Sequence, residues 1–289
     1  MSAVRWWCCV SDRRAVDAAG RRPLRVCALY PDLMNIYADR GNLIVLERRC
    51  RWRGIGFELA GSGLGEPLDA GAHDLFYLGG GQDRDQLLCA RDLRERKGEA
   101  LHAAAARGAV VLGVCGGYQL LGHSYTLGDE EIPGVGLLDV HTVRGGGPRL
   151  IGNVAIEVRL EEPTGSPLPR SAPPPTQAPE EPAVGTPPSN GHVLAGFENH
   201  GGRTRLGPGE SALGRVLKGH GNDGRSGLEG ARRGNTIGTY LHGPLLPKNV
   251  WFADWLIARA LGRAPGALTP LEDRLEQEAH LGARRAAGV

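Results

Sequence analysis

Long apolar runs, a charge of one sign and a paired-cysteine framework are all missing from this sequence. No segment approaches the roughly 18 apolar residues of a membrane-spanning helix, so no membrane insertion is expected. The formal net charge is only +2, with bases spread among acids, which argues against nucleic acid or an anionic membrane as a partner. The six cysteines, Cys8, Cys9, Cys27, Cys50, Cys89 and Cys115, show no CxxC spacing. Such thiols stay free in a reducing compartment, which points to a cytoplasmic protein, and no metal or cofactor is expected. A GxxxxGK[ST] loop is absent, so the chain cannot activate a carboxylate with ATP by itself. The N-terminus lacks the apolar core and cleavage site of a secretory signal. Residues 1–22, rich in Arg and without a clear period, read as a disordered extension.

What the sequence does hold is room for a full core in 289 residues, with 45 glycines and 20 prolines that call for loops. Ten of those prolines fall within residues 161–191, among Glu, Ser, Thr and Ala. Burial there cannot offset ordering entropy, so the segment reads as a disordered insertion, a solvated spacer or else a Pro-rich partner site. The remainder, residues 23–262, reads as a single α/β domain followed by a charged helical tail over 263–289.

Apolar runs at Leu24–Tyr30, Phe57–Ala60, His73–Leu78 and Ala109–Val114 predict buried parallel strands. Helical patterns lie between them, over Asn42–Arg53, where Leu43, Leu46 and Cys50 share a face, and over Arg84–Arg107, with a break near Gly98. This alternation predicts a parallel sheet with helices on both faces. Leu137–Val143 and Leu150–Leu160 alternate apolar and polar residues, which predicts antiparallel strands added to that sheet. Further strands are expected at His192–Glu198, Ala212–Leu217 and Asn235–Leu241, then a helix over Lys248–Leu261 and an amphipathic one over Pro270–Arg285.

The stretch GAVVLGVCGGYQLLG places Cys115 between a strand and a helix opening at Gly116. A thiol at such a corner is pushed out of the sheet edge, and the positive end of the helix is expected to lower its pKa toward thiolate. An ordinary buried cysteine beside a Gly-rich turn would leave the same trace. The glycines 79–81 at the end of an earlier strand can turn backbone N–H groups toward a ligand, or serve only as a tight turn. Of nine histidines, His242 ends a strand that would face the same edge as Cys115.

The string GVCGGYQ, read as GxCxGxQ, resembles the nucleophile elbow of class I glutamine amidotransferases. The resemblance implies a three-layer, flavodoxin-like α/β fold with a mixed central sheet. It also implies L-glutamine as substrate, Cys115 as nucleophile, Gln119 as a substrate contact, and oxyanion N–H groups from Gly116 and from Gly80 or Gly81. GTYLHGP looks like that family's catalytic-histidine motif at His242, but Pro244 stands where most members carry an orienting glutamate. A Cys–His pair with proline there is similar to the cobyric-acid-synthase-like branch, and above all to the glutaminase subunits of lipid II isoglutaminyl synthases. YPDLMNIYADRGN, GGGQDRDQ, GFENHGGRT and GTYLHGPLLPKN carry that likeness across residues 24–261, apart from the insertion.

By the same likeness Arg149 would bind substrate, and a guanidinium suits the α-carboxylate of glutamine. Glu198 and His200 would stand near the site as a supporting pair, with His200 the rival base. The implied partner is a Mur-ligase-like, ATP-dependent synthetase that uses the ammonia to amidate the D-glutamate of lipid II in peptidoglycan synthesis. A glutaminase for another synthetase, as in cobalamin synthesis, and a catalytically silent α/β subunit are the alternatives. Replacing residues 163–190 by a short Gly/Ser linker is expected to leave the thermal midpoint and glutamine hydrolysis nearly unchanged. A collapse of the midpoint in a melting scan would refute the disorder assignment.

Overall fold

In the computed structural model the described residues are 22–36, 39–158, 160 and 192–289. The expected insertion, and all of the expected N-terminal extension except Arg22, lie outside them. Each apolar run becomes a strand, sealed on both faces except at Phe57–Ala60, expected buried but left half-exposed at the edge of the sheet. These are β1 (Leu24–Leu29), then, after helix α1 (Arg40–Trp52) and the half-buried β2 (Phe57–Ser62), β3 (Leu75–Leu78). The predicted long helix is α2 (Asp83–Asp92), a π turn at Leu93–Lys97 and α3 (Gly98–Ala106), so the irregularity expected near Gly98 is the π turn that ends just before it, and Gly98 itself is helical. β4 (Val110–Val114) and the short α4 (Gly116–Leu121) follow.

A hairpin the sequence reading missed comes next, β5 (Ser124–Leu127) and β6 (Glu130–Pro133), before β7 (Val140–Arg144) and β8 (Leu150–Val158). After the insertion come β9 (His192–His200), β10 (Gly202–Leu206), β11 (Gly214–Lys218), β12 (Leu228–Glu229), β13 (Ala231–Arg233) and β14 (Thr236–Thr239). Helices α5 (Leu245–Lys248), α6 (Val250–Ala260) and α7 (Arg274–Ala287) close the chain.

The central sheet has the order β13-β14-β4-β3-β1-β2. All its pairs are parallel except the short edge strand β13, which runs antiparallel to β14. Leu137–Val143 and Leu150–Leu160 were expected as additions to this sheet, and the structure corrects that. Their strands, β7 and β8, lie in two separate four-stranded sheets, ordered β10-β7-β5-β6 and β12-β11-β8-β9. Alternating burial marks a half-exposed strand but carries no information on which sheet receives it. β8 and β9 pair along their whole length, with Val158 opposite His192, so the insertion joins two adjacent strand ends.

The helices are held partly by charges from distant parts of the chain. Arg49 of α1 is 1% exposed, and its guanidinium donates to both Asp254 on α6 and Asp273 just before α7. Two carboxylates in bidentate geometry satisfy the buried cation and tie the C-terminal helices to α1. α7 itself buries little beyond Ala287, in keeping with the surface cover its pattern predicts. Among the described residues no helix is long and apolar enough to cross a membrane.

The closest approach of a glycine to backbone among the described residues lies where α4 meets the end of β3. A Cβ on Gly117 would sit 2.1 Å from the Leu78 carbonyl oxygen and 2.9 Å from that of Gly79. Since backbone cannot yield as a flexible side chain can, Gly117→Ala is expected to lower unfolding free energy by about 2–3 kcal/mol in urea titration. Gly146→Ala, where a Cβ would meet nothing within 4 Å, is the control and should change little. Equal losses at the two positions would show that the joint can relax.

Candidate active site

Cys115 leaves the top of β4 with φ 53° and ψ −108°, one of two non-glycine residues with positive φ among those described. Such backbone is held only where the surroundings enforce it, at a cost of about 1–3 kcal/mol. Here the enforcing bonds are Cys115 N–H to the Thr239 carbonyl, 2.8 Å, and Gln119 N–H to the Cys115 carbonyl, 3.1 Å. The side chain reaches the wall of a cavity of about 630 Å³, to which Gly81, Gln86, Gln119, Arg149 and His200 also contribute.

The thiol does not behave as the elbow alone suggests. Burial pushes its pKa up to about 12, with the nearby Asp39 carboxyl adding to the rise, and the Gly116 N–H and Arg149 acting the other way. The expected drop toward thiolate is thus reversed. α4 has only six residues, and its end cannot outweigh removal of the sulfur from water.

Gly80 and Gly81, alternatives in the sequence, are separated by what their N–H groups face. Gly80 N–H donates to Asp39 Oδ2 at 2.8 Å. Gly81 lines the cavity, and its nitrogen lies 3.2 Å from where a Cβ on Gly116 would be. Asp39 was not singled out by sequence, where it is merely the polar residue before a helix. Its carboxyl makes no capping bond to α1 and instead turns inward, fully buried, beneath the glycine loop. Burial raises its pKa to about 7, against the lowering effect of the Gly80 N–H.

His242 lies three residues beyond Thr239, which pairs with Val114 in the parallel ladder, so it leaves the same sheet edge as Cys115 on the neighbouring strand. Its backbone is fixed by reciprocal bonds with Phe197, 2.9 and 3.0 Å. The imidazole is fully buried, and burial lowers its pKa to about 4, aided by His200, Lys248 and Arg149 and opposed by Glu198. His200, unlike His242, lines the cavity. Its Nδ1 bonds the Gly202 carbonyl at 2.9 Å, and its ring stacks on Tyr240 at 3.6 Å.

Glu198 stands 3.9 Å from His200 Nε2, too far for a hydrogen bond. It is instead saturated by the N–H groups of His220 (2.6 Å) and Gly221 (2.9 Å). That bonding makes Glu198 a lock on the 220–221 turn. A second buried acid, Glu229, was not foreseen. It accepts from Tyr240 N–H at 2.6 Å and from the Thr239 hydroxyl at 3.1 Å, while burial pushes its pKa up to about 8.

Gln119 projects from α4 into the cavity, its amide oxygen accepting from Gln86 at 2.8 Å and its amide nitrogen donating to the Tyr240 hydroxyl at 3.2 Å. Arg149 lies at the opening of β8, exposed, with Nε and an Nη each 2.8 Å from Asn199 oxygens. Among the described residues the grouping that could hold a metal, His123, Asp139 and His141, contributes nothing to the cavity lining.

A thiol held neutral by burial alkylates slowly at neutral pH. Iodoacetamide labelling of Cys115, followed by peptide mass spectrometry, is expected to keep rising well above pH 9, because the thiolate fraction grows up to a pKa of about 12. Asp39→Asn should shift that profile to lower pH by removing a neighbouring negative charge. A plateau already reached at pH 7 would contradict the neutral resting thiol.

Residues 25–250 match the CobB/CobQ-like glutamine amidotransferase domain. The chain is 34% identical over 255 residues to subunit GatD of the lipid II isoglutaminyl synthase (glutamine-hydrolyzing) of Staphylococcus aureus, covering 88% of this chain and 90% of that protein. The subunit of the same name from Streptococcus pneumoniae is 32% identical over 259 residues, covering 88% of each. Among solved structures, a chain of PurLQS from Thermotoga maritima superposes with a TM-score of 0.53 at 19% identity, over 90% of this chain and 99% of that one. That last likeness concerns the fold, and it agrees with the mixed α/β architecture described above. On the match across residues 25–250 and the identity to two relatives over about nine-tenths of their length, the chain belongs to the family of CobB/CobQ-like glutamine amidotransferase domains.

Proposed function

We propose that the chain hydrolyses L-glutamine to glutamate and ammonia through a thioester on Cys115. It would pass the ammonia to a separate Mur-ligase-like, ATP-dependent synthetase that amidates the D-glutamate of lipid II. The observation that carries the reading is the strained Cys115 on the wall of a cavity, with His242 leaving the same edge on the adjacent parallel strand. The likeness to two GatD subunits over about nine-tenths of their length supports the division of labour, since those proteins are named as glutamine-hydrolyzing subunits of a lipid II isoglutaminyl synthase.

In this reading Arg149 holds the α-carboxylate of glutamine and Gln119 contacts the rest of the substrate. The Cys115 sulfur attacks the side-chain amide carbon while its proton passes to His242. The carbonyl oxygen becomes an oxyanion held by the N–H groups of Gly116 and Gly81. Gly80 is the weaker choice, because Asp39 already accepts its N–H. As the C–N bond breaks, His242 returns the proton to the leaving nitrogen and ammonia departs. Water, deprotonated by His242, then attacks the thioester, and collapse releases glutamate and the thiol. Glu198 and His200 shape the wall; Glu198 does so through the 220–221 turn and His200 through its stack on Tyr240.

The test is reconstitution with the synthetase and lipid II. Cys115→Ala should abolish glutamine-dependent amidation while high ammonium restores it. His242→Ala should lower glutamine hydrolysis by a factor of about 100 to 10,000, and His200→Ala by less. Equal losses at the two histidines with unchanged melting would reassign the base. Hydrolysis of glutamine with no amidation of lipid II would remove the pathway and leave the glutaminase.

A further inference from the structure

Away from the glutamine cavity, one cluster brings two imidazoles and a carboxylate together on a rigid frame. His123 follows α4, and its N–H donates to the Val140 carbonyl at 2.9 Å. The next residue, Ser124, pairs with His141 in the parallel ladder of β5 and β7. Backbone pairing thus sets the two histidines side by side, with ring centroids 5.0 Å apart and planes at 27°. Asp139 precedes β7 and is anchored at both ends of its backbone. Its N–H donates to Glu210 at 2.6 Å, and its carbonyl accepts from Gly207 at 2.7 Å. Its Oδ1 lies 3.2 Å from His123 Nε2, and the Ser124 hydroxyl steadies His141 at Nδ1, also 3.2 Å away.

One potential ligand atom from each of the three residues lies within 4.8 Å of the others. Donors about 2.0–2.2 Å from a tetrahedral zinc ion stand about 3.3 Å from each other, so the His123–Asp139 gap already has the needed size. A modest turn of the exposed His141 ring would close the rest. We propose that His123, Asp139 and His141 form a binding site for a divalent transition metal ion of the zinc or cobalt type. Two neutral nitrogens and one carboxylate suit such ions, whereas magnesium and calcium prefer all-oxygen shells. Both histidines are exposed, so water fills the remaining coordination positions. β5 brings Tyr125, Thr126 and Leu127 to the glutamine cavity and β7 brings Arg144. An ion bridging the starts of these strands therefore braces a wall of that cavity. Arg205 stands directly opposite His141 in the β10–β7 ladder, and its charge opposes the ion.

The experiment uses the full chain carrying Cys115→Ala, so that the cavity thiol cannot bind metal, and titrates it with zinc against a chromophoric chelator and with cobalt by visible absorption. The expected result is one cobalt ion with weak visible bands and no thiolate charge-transfer band. Added zinc should raise the melting temperature. His123→Gln and His141→Gln, both at exposed positions, should each weaken zinc by about 10- to 100-fold and remove the melting shift, with the unliganded melting temperature retained. Arg205→Gln should tighten binding. Zinc binding unchanged in the double histidine variant, or a cobalt spectrum of thiolate type alone, overturns the proposal.

Discussion

The contact on which the site depends is the seating of the first turn of α4 against the end of β3. Gly117 N–H donates to the Gly79 carbonyl at 3.0 Å, and the space for any side chain at Gly117 is already filled by the carbonyl of Leu78. Only glycine permits backbone to approach backbone so closely. From this single approach the remaining geometry follows. Gly116 is carried alongside the Gly81 nitrogen, Cys115 is driven into its strained dihedrals, and Gln119, three residues after Gly116, is pointed at the cavity.

Around that joint the protein keeps several acids dry and nearly all of their oxygens engaged. Glu198 closes the 220–221 turn, and Glu229 holds the Thr239–Tyr240 peptide just before His242. Tyr240 joins the two groups: its hydroxyl meets Thr204 at 2.6 Å and Gln119 at 3.2 Å, and its ring carries His200. A buried polar network of this kind is stabilising only while every member is satisfied, and then it fixes one arrangement of the wall. Two atoms are exceptions, since neither His200 Nε2 nor Asp39 Oδ1 finds a hydrogen-bond partner among the described residues. The shortfall at Asp39 agrees with a carboxyl whose pKa burial raises to about 7.

Much of the scaffold was legible because fully apolar runs and 3.6-residue periodicity report burial directly, and β1, β3, β4, α1 and α6 fall where the pattern puts them. The elbow was legible because it needs glycines at fixed offsets from a cysteine. Short strands such as β5, β6, β12 and β13 were not, since two to four residues carry no period. The choice between Gly80 and Gly81 depends on the direction of an N–H, and the thiol pKa depends on depth; neither is written in residue type. Arg49 and Glu229 look like surface charges because their buried environment is assembled by the fold. Arg49 meets partners 205 and 224 residues away. Arg149 was reached through resemblance alone, whereas His242 was marked first by its place at a strand end and then by resemblance.

Burial acts on the two proposed reacting groups in the same direction, against charge. It raises the thiol to about 12 and lowers the imidazole to about 4, so the thiolate–imidazolium pair is disfavoured at both ends in the resting chain. Arg149 acts unequally on them, since its cation favours a thiolate on Cys115 but opposes a proton on His242. In the proposed reaction a substrate carboxylate neutralises that cation, which makes His242 a better base at the moment glutamine arrives. The negative charge then need not rest on sulfur, because it moves onto the substrate oxygen, where the N–H groups of Gly81 and Gly116 await it. A site built this way stays unreactive toward small electrophiles in water and draws its reactivity from the substrate that fills it.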